Sequence, residues 1–280
     1  MKILERIYTE DIYGDGNRRP LTEFLILNNI DWIDITTGDE RAGKTTLSYI
    51  KCRLANPNFG VDDYTLGLEE FLKRIDTCPQ GSAVLCDEGG DAFISKLAMS
   101  RKSIKATQQL MKIGEKNLFI CINISDLSLL ERYIKNHRLK CLCRVRIKYK
   151  NGMLTRGIVE IYTRKQTRQI RKTVDGNMKY PKPAGVDVFS AIPEDDPLWI
   201  ACKAKKDVYI KFKRKEKEVE DIIDEMCRKY GKESIISRTT ISNEIVRKKQ
   251  IKTRQARNII TSAINSGKIA VVNRGRLQFR

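Results

Sequence analysis

The octet Gly38-Asp39-Glu40-Arg41-Ala42-Gly43-Lys44-Thr45 satisfies the pattern G-x-x-x-x-G-K-[ST] in full. With glycine near 7% of ordinary protein sequence and lysine similarly common, a chance match in a chain this long is on the order of 1%. The flanks narrow it further. Trp32, Ile33 and Ile35 read as a short buried strand ending at Thr36-Thr37, and Thr45 to Leu54 carries helix-forming, partly apolar residues. A glycine-bearing bend between a buried strand and a helix start wraps phosphates with backbone N–H groups, and the helix N-terminus adds positive partial charge. The motif therefore assigns Gly38, Asp39, Glu40, Arg41, Ala42, Gly43, Lys44, Thr45 and the following Thr46 to ATP binding. Lys44 would reach the β- and γ-phosphates, and the Thr45 hydroxyl would ligate Mg²⁺. The alternative is a glycine turn beside a buried lysine.

A phosphate loop of this kind needs an acidic partner, and about forty residues on the chain offers one. Ala83-Val84-Leu85-Cys86 is a compact apolar strand that ends in Asp87-Glu88. Asp87 would hold the metal, usually through water, and Glu88 would polarise the attacking water. Acid pairs end many strands by accident, and it is the coupling to the phosphate loop that gives this one weight. A carboxylate beside the magnesium aspartate favours hydrolysis over mere binding. Leu118 to Ile122 forms the next buried strand, and Asn123 directly after its apolar core is either a sensor of the γ-phosphate or a plain strand-end cap. An arginine from a neighbouring subunit would add roughly 10³ to 10⁵ in rate; Arg101, Arg132 and Arg138 are candidates, and the sequence does not choose among them. His137, the single histidine, reads as structural.

Helical stripes alternate with these strands. Leu68, Phe71, Leu72 and Ile75 fall on one face, a further helix is expected from about Ser95 to Ile113, and another from Asp126 to Asn136. Alternating buried strands and helices imply an α/β fold with a parallel sheet and crossover helices, a RecA-like core. From Cys141 to Tyr149 apolar and cationic residues alternate, as in an edge or half-exposed strand, and Asn151-Gly152 signals a hairpin running on to about Tyr162. Asp175-Gly176 marks a turn, and Pro181, Pro183, Pro193 and Pro197 then cluster. The expected division is an ATPase domain over 1–190 with a β-rich extension from about 140, a basic linker over 191–217, and a terminal module over 218–280. That module reads as three helices and a closing β-hairpin, a winged helix.

Charge bears on the partner. The 280 residues hold 54 Lys+Arg against 35 Asp+Glu, a net charge of +19, and from Leu198 onward the count is 22 against 9. Basic side chains displace counterions from a phosphate backbone, so the asymmetry points to a polyanionic partner, most simply nucleic acid, with a solvated basic surface as the alternative. Arg254, Arg257 and Asn258 fall on the polar side of the third helix, with Arg274 and Arg276 in the wing, as DNA-binding candidates. Winged helices also mediate protein contacts. The longest apolar stretches stop far short of the roughly 20 residues a membrane span requires, and the acids near the N-terminus do not suit an export signal, so a cytoplasmic location is expected. The eight cysteines are scattered and form no C-x-x-C pair. Cys141 and Cys143 share a strand face, a weak basis for metal binding.

Together, GDERAGKT, the strand VLCDEGG, the stretch ISKLAMSRKS, the strand NLFICIN ending in a polar residue, and DLSLLERYIKNHR followed by strands resemble ATPases of the FtsK–HerA superfamily, nearest to relatives from viruses and mobile elements. The resemblance spans about Ile33 to Val188. It implies a ring-forming, hexameric, ATP-driven translocase of duplex DNA used in packaging or transfer, with Lys44, Thr45, Asp87 and Glu88 at nucleotide-site positions. Asn123 stands where relatives often have glutamine. Relatives often carry a basic pair before that strand; here Gly114-Glu115-Lys116 stands there, which leaves the trans-acting arginine unassigned. An AAA+ replication initiator or helicase loader, and a non-hydrolysing nucleotide-gated DNA-binding regulator, are the competing expectations.

Overall fold

The computed structural model describes residues 2–88, 113–125, 127, 134–150, 153–173, 178–230, 235–249, 257, 260, 261, 264, 269–273 and 276–279. The chain divides into two compact units, Met1–Lys203 and Ala204–Arg280.

The first unit is built on a seven-stranded sheet. Its strands are β1 (Trp32–Gly38), β2 (Tyr64–Leu66), β3 (Ala83–Asp87), β4 (Phe119–Asn123), β5 (Leu139–Lys150), β6 (Met153–Thr163) and β7 (Gly185–Val188), in the order β7-β6-β5-β1-β4-β3-β2. The five from β5 to β2 run parallel, while β6 and β7 close one side antiparallel. Parallel neighbours need crossovers: α3 (Lys44–Ala55) leads from β1 to β2 and α4 (Leu68–Thr77) from β2 to β3, while α1 (Lys2–Tyr8) and α2 (Leu21–Leu27) precede the sheet. This is the α/β architecture expected of a RecA-like core, with the glycine-rich bend directly after the strand that lies in mid-sheet.

Side chains alternate across a strand, so the two faces of the sheet are chemically distinct. One carries Ile33, Ile35, Val84, Ile120, Ile122 and Leu142 and is covered by Phe71, Leu72 and Ile75 of α4, an aliphatic core. The other carries Asp34, Thr36, Cys121 and Asn123, all buried. It packs under α3, whose Ser48 and Lys51 are themselves fully buried. The sequence shows only the aliphatic face as a pattern.

Two expectations are corrected here. β5 is not an edge strand: it lies between β1 and β6, with Leu142 in the aliphatic core and Cys141 and Cys143 buried on the opposite face, and it becomes exposed only past Val145. The strand outruns the sheet, so its first half is buried on both sides and its second half is not, and an average over the two looks half-exposed. The stretch 191–217, expected as a basic linker, is helical from Pro197: α6 spans Pro197–Tyr230. The short helix Arg164–Thr167 is α5. Asp196 caps α6, its Oδ1 accepting the N–H of Trp199 at 2.7 Å, and Pro197 supplies the preset φ of a first helical residue. The last proline of the cluster thus starts a helix.

The expected hairpin is present, with Lys150 paired to Met153; Asn151-Gly152 itself lies outside the described residues, as do the Asp175-Gly176 turn and the helix expected from Ser95, except for Ile113. Of the helix expected over Asp126–Asn136, the described part includes a π-helical turn at Ile134–Arg138.

The second unit contains the rest of α6, then β8 (Ile235–Ser237), α7 (Arg238–Lys249), β9 (Ile269–Asn273) and β10 (Arg276–Phe279). Ser237 caps α7 through the N–H of Thr240 at 3.0 Å. Between α7 and β9 the residues Arg257, Ile260, Thr261 and Ile264 are helical. The three strands form an antiparallel sheet in the order β8-β10-β9. Ile241, Ile245, Ile260 and Leu277 are buried.

Candidate functional site

Sheet order alone brings the motif residues together. β4 lies between β1 and β3, so Asn123 at its end stands between the bend after β1 and the acids after β3. The bend itself is held by backbone geometry. Gly38 has φ 138°, and a Cβ there would run into the carbonyl oxygen of Val145 on β5. Gly43 has φ 103° at the N-cap of α3, where a Cβ would stand 3.3 Å from the Phe189 ring. Asp39, Glu40 and Arg41 are exposed along the rim, while Ala42 is buried beneath it. Lys44 folds back across the bend, donating to the carbonyls of Gly38 and Asp39 at 2.8 Å each. Partial burial pulls its pKa below the ordinary lysine value, against the opposing pull of Glu40, Glu88, Asp39 and Asp87. An ammonium parked on carbonyls beside a helix N-terminus is set to meet an anion.

Asp87 is the hub. It is 3% exposed, and its Oδ2 accepts from the Thr45 hydroxyl at 3.1 Å and from the Tyr64 phenol at 2.7 Å, while its Oδ1 accepts from Asn123 Nδ2 at 2.9 Å. The Thr45 and Asp87 oxygens form the hard donor set that suits Mg²⁺, so these residues fit the metal the motif implies. Glu88 follows with φ 56°, a left-handed backbone uncommon for a non-glycine residue, and its side chain is exposed rather than folded into the strand end. Burial, then the Asp87 charge, push the Tyr64 phenol far above its usual pKa, so it is a fixed donor.

Asn123 is therefore neither isolated nor a simple cap. Its Oδ1 accepts from Ser48 Oγ at 2.5 Å, Ser48 meets Thr36 Oγ1 at 2.7 Å, and Thr36 accepts from Lys51 Nζ at 2.6 Å. Lys51 also donates to Asp34 Oδ1 at 2.7 Å, and the Tyr8 hydroxyl of α1 donates a short hydrogen bond to Asp34 Oδ2. An ammonium only donates and a carboxylate only accepts, which fixes the direction of the links between. Every hydrogen bond from Lys51 to Asp87 points toward Asp87. Burial alone would depress Lys51, but the Asp34 carboxylate outweighs it and holds the amine protonated well above the usual range.

Asp34, Cys141 and Cys143 have ligand atoms within 4.8 Å of one another. Asp34 is already satisfied by Lys51 and Tyr8, and a cation there would face the Lys51 ammonium, so this trio does not read as a metal site.

Of the candidate arginines, Arg138 is ion-paired to Asp31 at 2.8 Å, before the start of β1 and so at the sheet edge away from the bend. Arg101 and Arg132 lie outside the described residues. In the second unit Arg257 is helical and exposed, and Arg276 begins β10; Arg254, Asn258 and Arg274 lie outside the described residues. Motif reading does not reach Tyr64, Ser48, Thr36 or Lys51. Ser48 and Lys51 lie four and seven residues after Lys44, which places them near it around the helix and is the one signal the sequence offers.

No protein-family model matches the chain, and neither does any curated protein. Among solved structures, it is similar to the N-terminal domain of zonular occludens toxin from Neisseria meningitidis, at 13% identity and TM-score 0.36, covering 59% of this chain and 96% of that one. It is similar to the genome packaging NTPase B204 from Sulfolobus turreted icosahedral virus 2 in complex with ATP-gammaS, at 13% identity and TM-score 0.34, covering 55% and 97%. The VirB11 ATPase of the Brucella suis type IV secretion system matches at 11% identity and TM-score 0.30, covering 53% and 52%.

Proposed function

We propose that the chain is an ATP-hydrolysing motor that acts on double-stranded DNA, of the FtsK–HerA kind. The observation that carries the reading is the convergence of Thr45, Asn123 and Tyr64 on the buried carboxylate of Asp87, beside a bend lined with backbone N–H groups. Mg²⁺ bound by Thr45 and Asp87 would supply charge neutralisation at the phosphates. The chain's own residues supply the rest. The bend and Lys44 hold the polyphosphate, Asn123 reports on the γ-position, and Glu88 accepts the proton of the attacking water.

Between β5 and Asp196 the only helix among the described residues is the four-residue α5. That favours a motor of this kind over an AAA+ initiator, which would carry a helical lid there. The helix–strand–helix–helix–hairpin order of the second unit, with the short strand β8 against β10, supports a winged helix, with Arg254, Arg257, Asn258, Arg274 and Arg276 facing DNA. In this reading 1–190 is the ATPase domain and 218–280 the DNA module, and a hexameric ring sets Glu88 of one copy near an arginine of the next. No described helix is long and apolar enough to cross a membrane.

The test is ATP turnover with and without duplex DNA, alongside sizing with a non-hydrolysable analogue. Turnover should rise with DNA and the analogue should favour the ring. Glu88→Gln should lower turnover by roughly 10² to 10⁴, the range for loss of a positioned base, while nucleotide still binds. Nucleotide binding without turnover in the unaltered chain would point to a nucleotide-gated regulator.

A further inference from the structure

β5 and β6 do not stop where the sheet stops. The ladder of β1 on β5 ends at Gly38 opposite Val145, and that of β7 on β6 ends at Val188 opposite Ile158. The β5–β6 ladder continues to Lys150 opposite Met153. A two-stranded ribbon therefore runs on past Val145 for roughly 17 Å, at about 3.3 Å per residue. Because β5 is parallel to β1, the ribbon leaves the sheet on the same edge as the phosphate-binding bend.

Its surface is unusual. Tyr149 is 80% exposed and Met153 73%, and Leu154 lies directly across the ladder from Tyr149. Between Leu139 and Val159 the sequence has six Lys or Arg and no acid. Arg144 and Arg146 lean on Glu160, at 3.7 and 3.9 Å, whereas Lys148 and Arg156 are exposed and have no ion-pair partner among the described residues. Tyr149 and Leu154 share one face of the ribbon and Met153 belongs to the other, since successive residues alternate. A flat membrane surface is met by one apolar stripe, which this ribbon lacks because its apolar groups are split between two faces, whereas its exposed cations, Lys148 and Arg156, suit phosphates. The major groove of B-DNA admits a two-stranded ribbon.

We propose that this ribbon is a duplex-DNA contact belonging to the nucleotide-binding unit, seated in the major groove with Lys148 and Arg156 against phosphates and Tyr149 against the groove floor. The choice of partner rests on the DNA reading above, but the contact is separate from the winged helix and from ATP turnover.

The experiment uses the full chain and a 30-base-pair duplex, with affinity followed by anisotropy across a salt series. Lys148→Gln with Arg156→Gln should weaken binding about tenfold at 0.15 M salt. It should also flatten the dependence of log affinity on log salt by about 1.8, or 0.9 for each phosphate no longer neutralised. Tyr149→Ala should weaken binding with the slope unchanged. DNA-independent ATP turnover and the thermal unfolding midpoint should stay as in the unaltered chain, which separates weaker DNA binding from a damaged fold. Unchanged affinity and slope would overturn the proposal, as would no DNA binding by the unaltered chain. It would also fall if these residues were needed for binding vesicles of anionic lipid but not DNA. Ribbon-dependent DNA binding without any ATP turnover would sink the motor and leave the ribbon; DNA-stimulated turnover indifferent to the ribbon would do the reverse.

Discussion

At the scale of single residues, the side chains that belong to a spaced motif are the ones a sequence displays. Lys44 and Thr45 stand out because the spacing of glycines, a cation and a hydroxyl has few other uses, and Asp87, expected opposite them at a strand end, does meet the Thr45 hydroxyl. Tyr64, Ser48, Thr36, Lys51, Asp34 and Tyr8 are not legible. Each is a polar group at a buried position, and a buried polar group follows its partners in space, not a period along the chain. The Lys51–Asp34 pair makes a sharp prediction. Both side chains have zero exposure, so removing one partner strands a charge out of water. Lys51→Met should cost about 3–5 kcal/mol in urea unfolding, and Lys51→Met with Asp34→Leu should recover much of the loss. Equal losses in the single and double variants would show that packing, not charge, holds this spot.

At the scale of elements, propensity and pattern place β1, α3, α4, β3 and β4 close to their true bounds. They fail where an element outgrows its surroundings. β5 reads as an edge because its two halves live in different environments. The first half of α6 is hidden because Pro197 follows prolines that do break structure and because its charge run looks solvated, while its second half is the first helix expected of the terminal module. The Asp196-Pro197 pair is the signal that betrays it. Asp196 also accepts the Tyr49 hydroxyl of α3 at 2.9 Å, so it ties the phosphate-loop helix to the start of α6. Asp196→Ala should therefore cost about 0.5–2 kcal/mol as a missing cap, and Asp196→Asn or Asp196→Ser should cost less. Chemical denaturation of the three variants checks the order.

At the scale of the whole molecule, the excess of positive charge after Leu198 is plain from composition, and so is the existence of a second unit. What composition cannot give is how the chain's beginning is fastened. Asp187, on the edge strand β7, accepts the N–H groups of Ile3 and Leu4 at 2.9 and 3.0 Å, across more than 180 residues. Burial works against its charge, but the N–H donors of Leu4, Val188 and Ile3 outweigh it and hold the carboxyl below its ordinary pKa. A depressed carboxyl stabilises the fold above its unfolded pKa of about 3.9 and loses that contribution as the pH falls through the lower folded value. Unfolding measured at pH 7 should show Asp187→Asn less stable than the unaltered chain, and the gap should close as the pH falls below about 3.9 and through the lower folded value. A gap that persists in acid would mean that shape alone matters at this position.

The approach of Gly38 to Val145 has a mechanical side. The first glycine of the phosphate loop has no room for even a methyl group against its neighbour's backbone, so the join between those two strands has no slack. A tug on the far end of β5 is not taken up by a yielding side chain there; it arrives at the mouth of the loop as a displaced peptide. This close approach is thus where tension and fuel would meet.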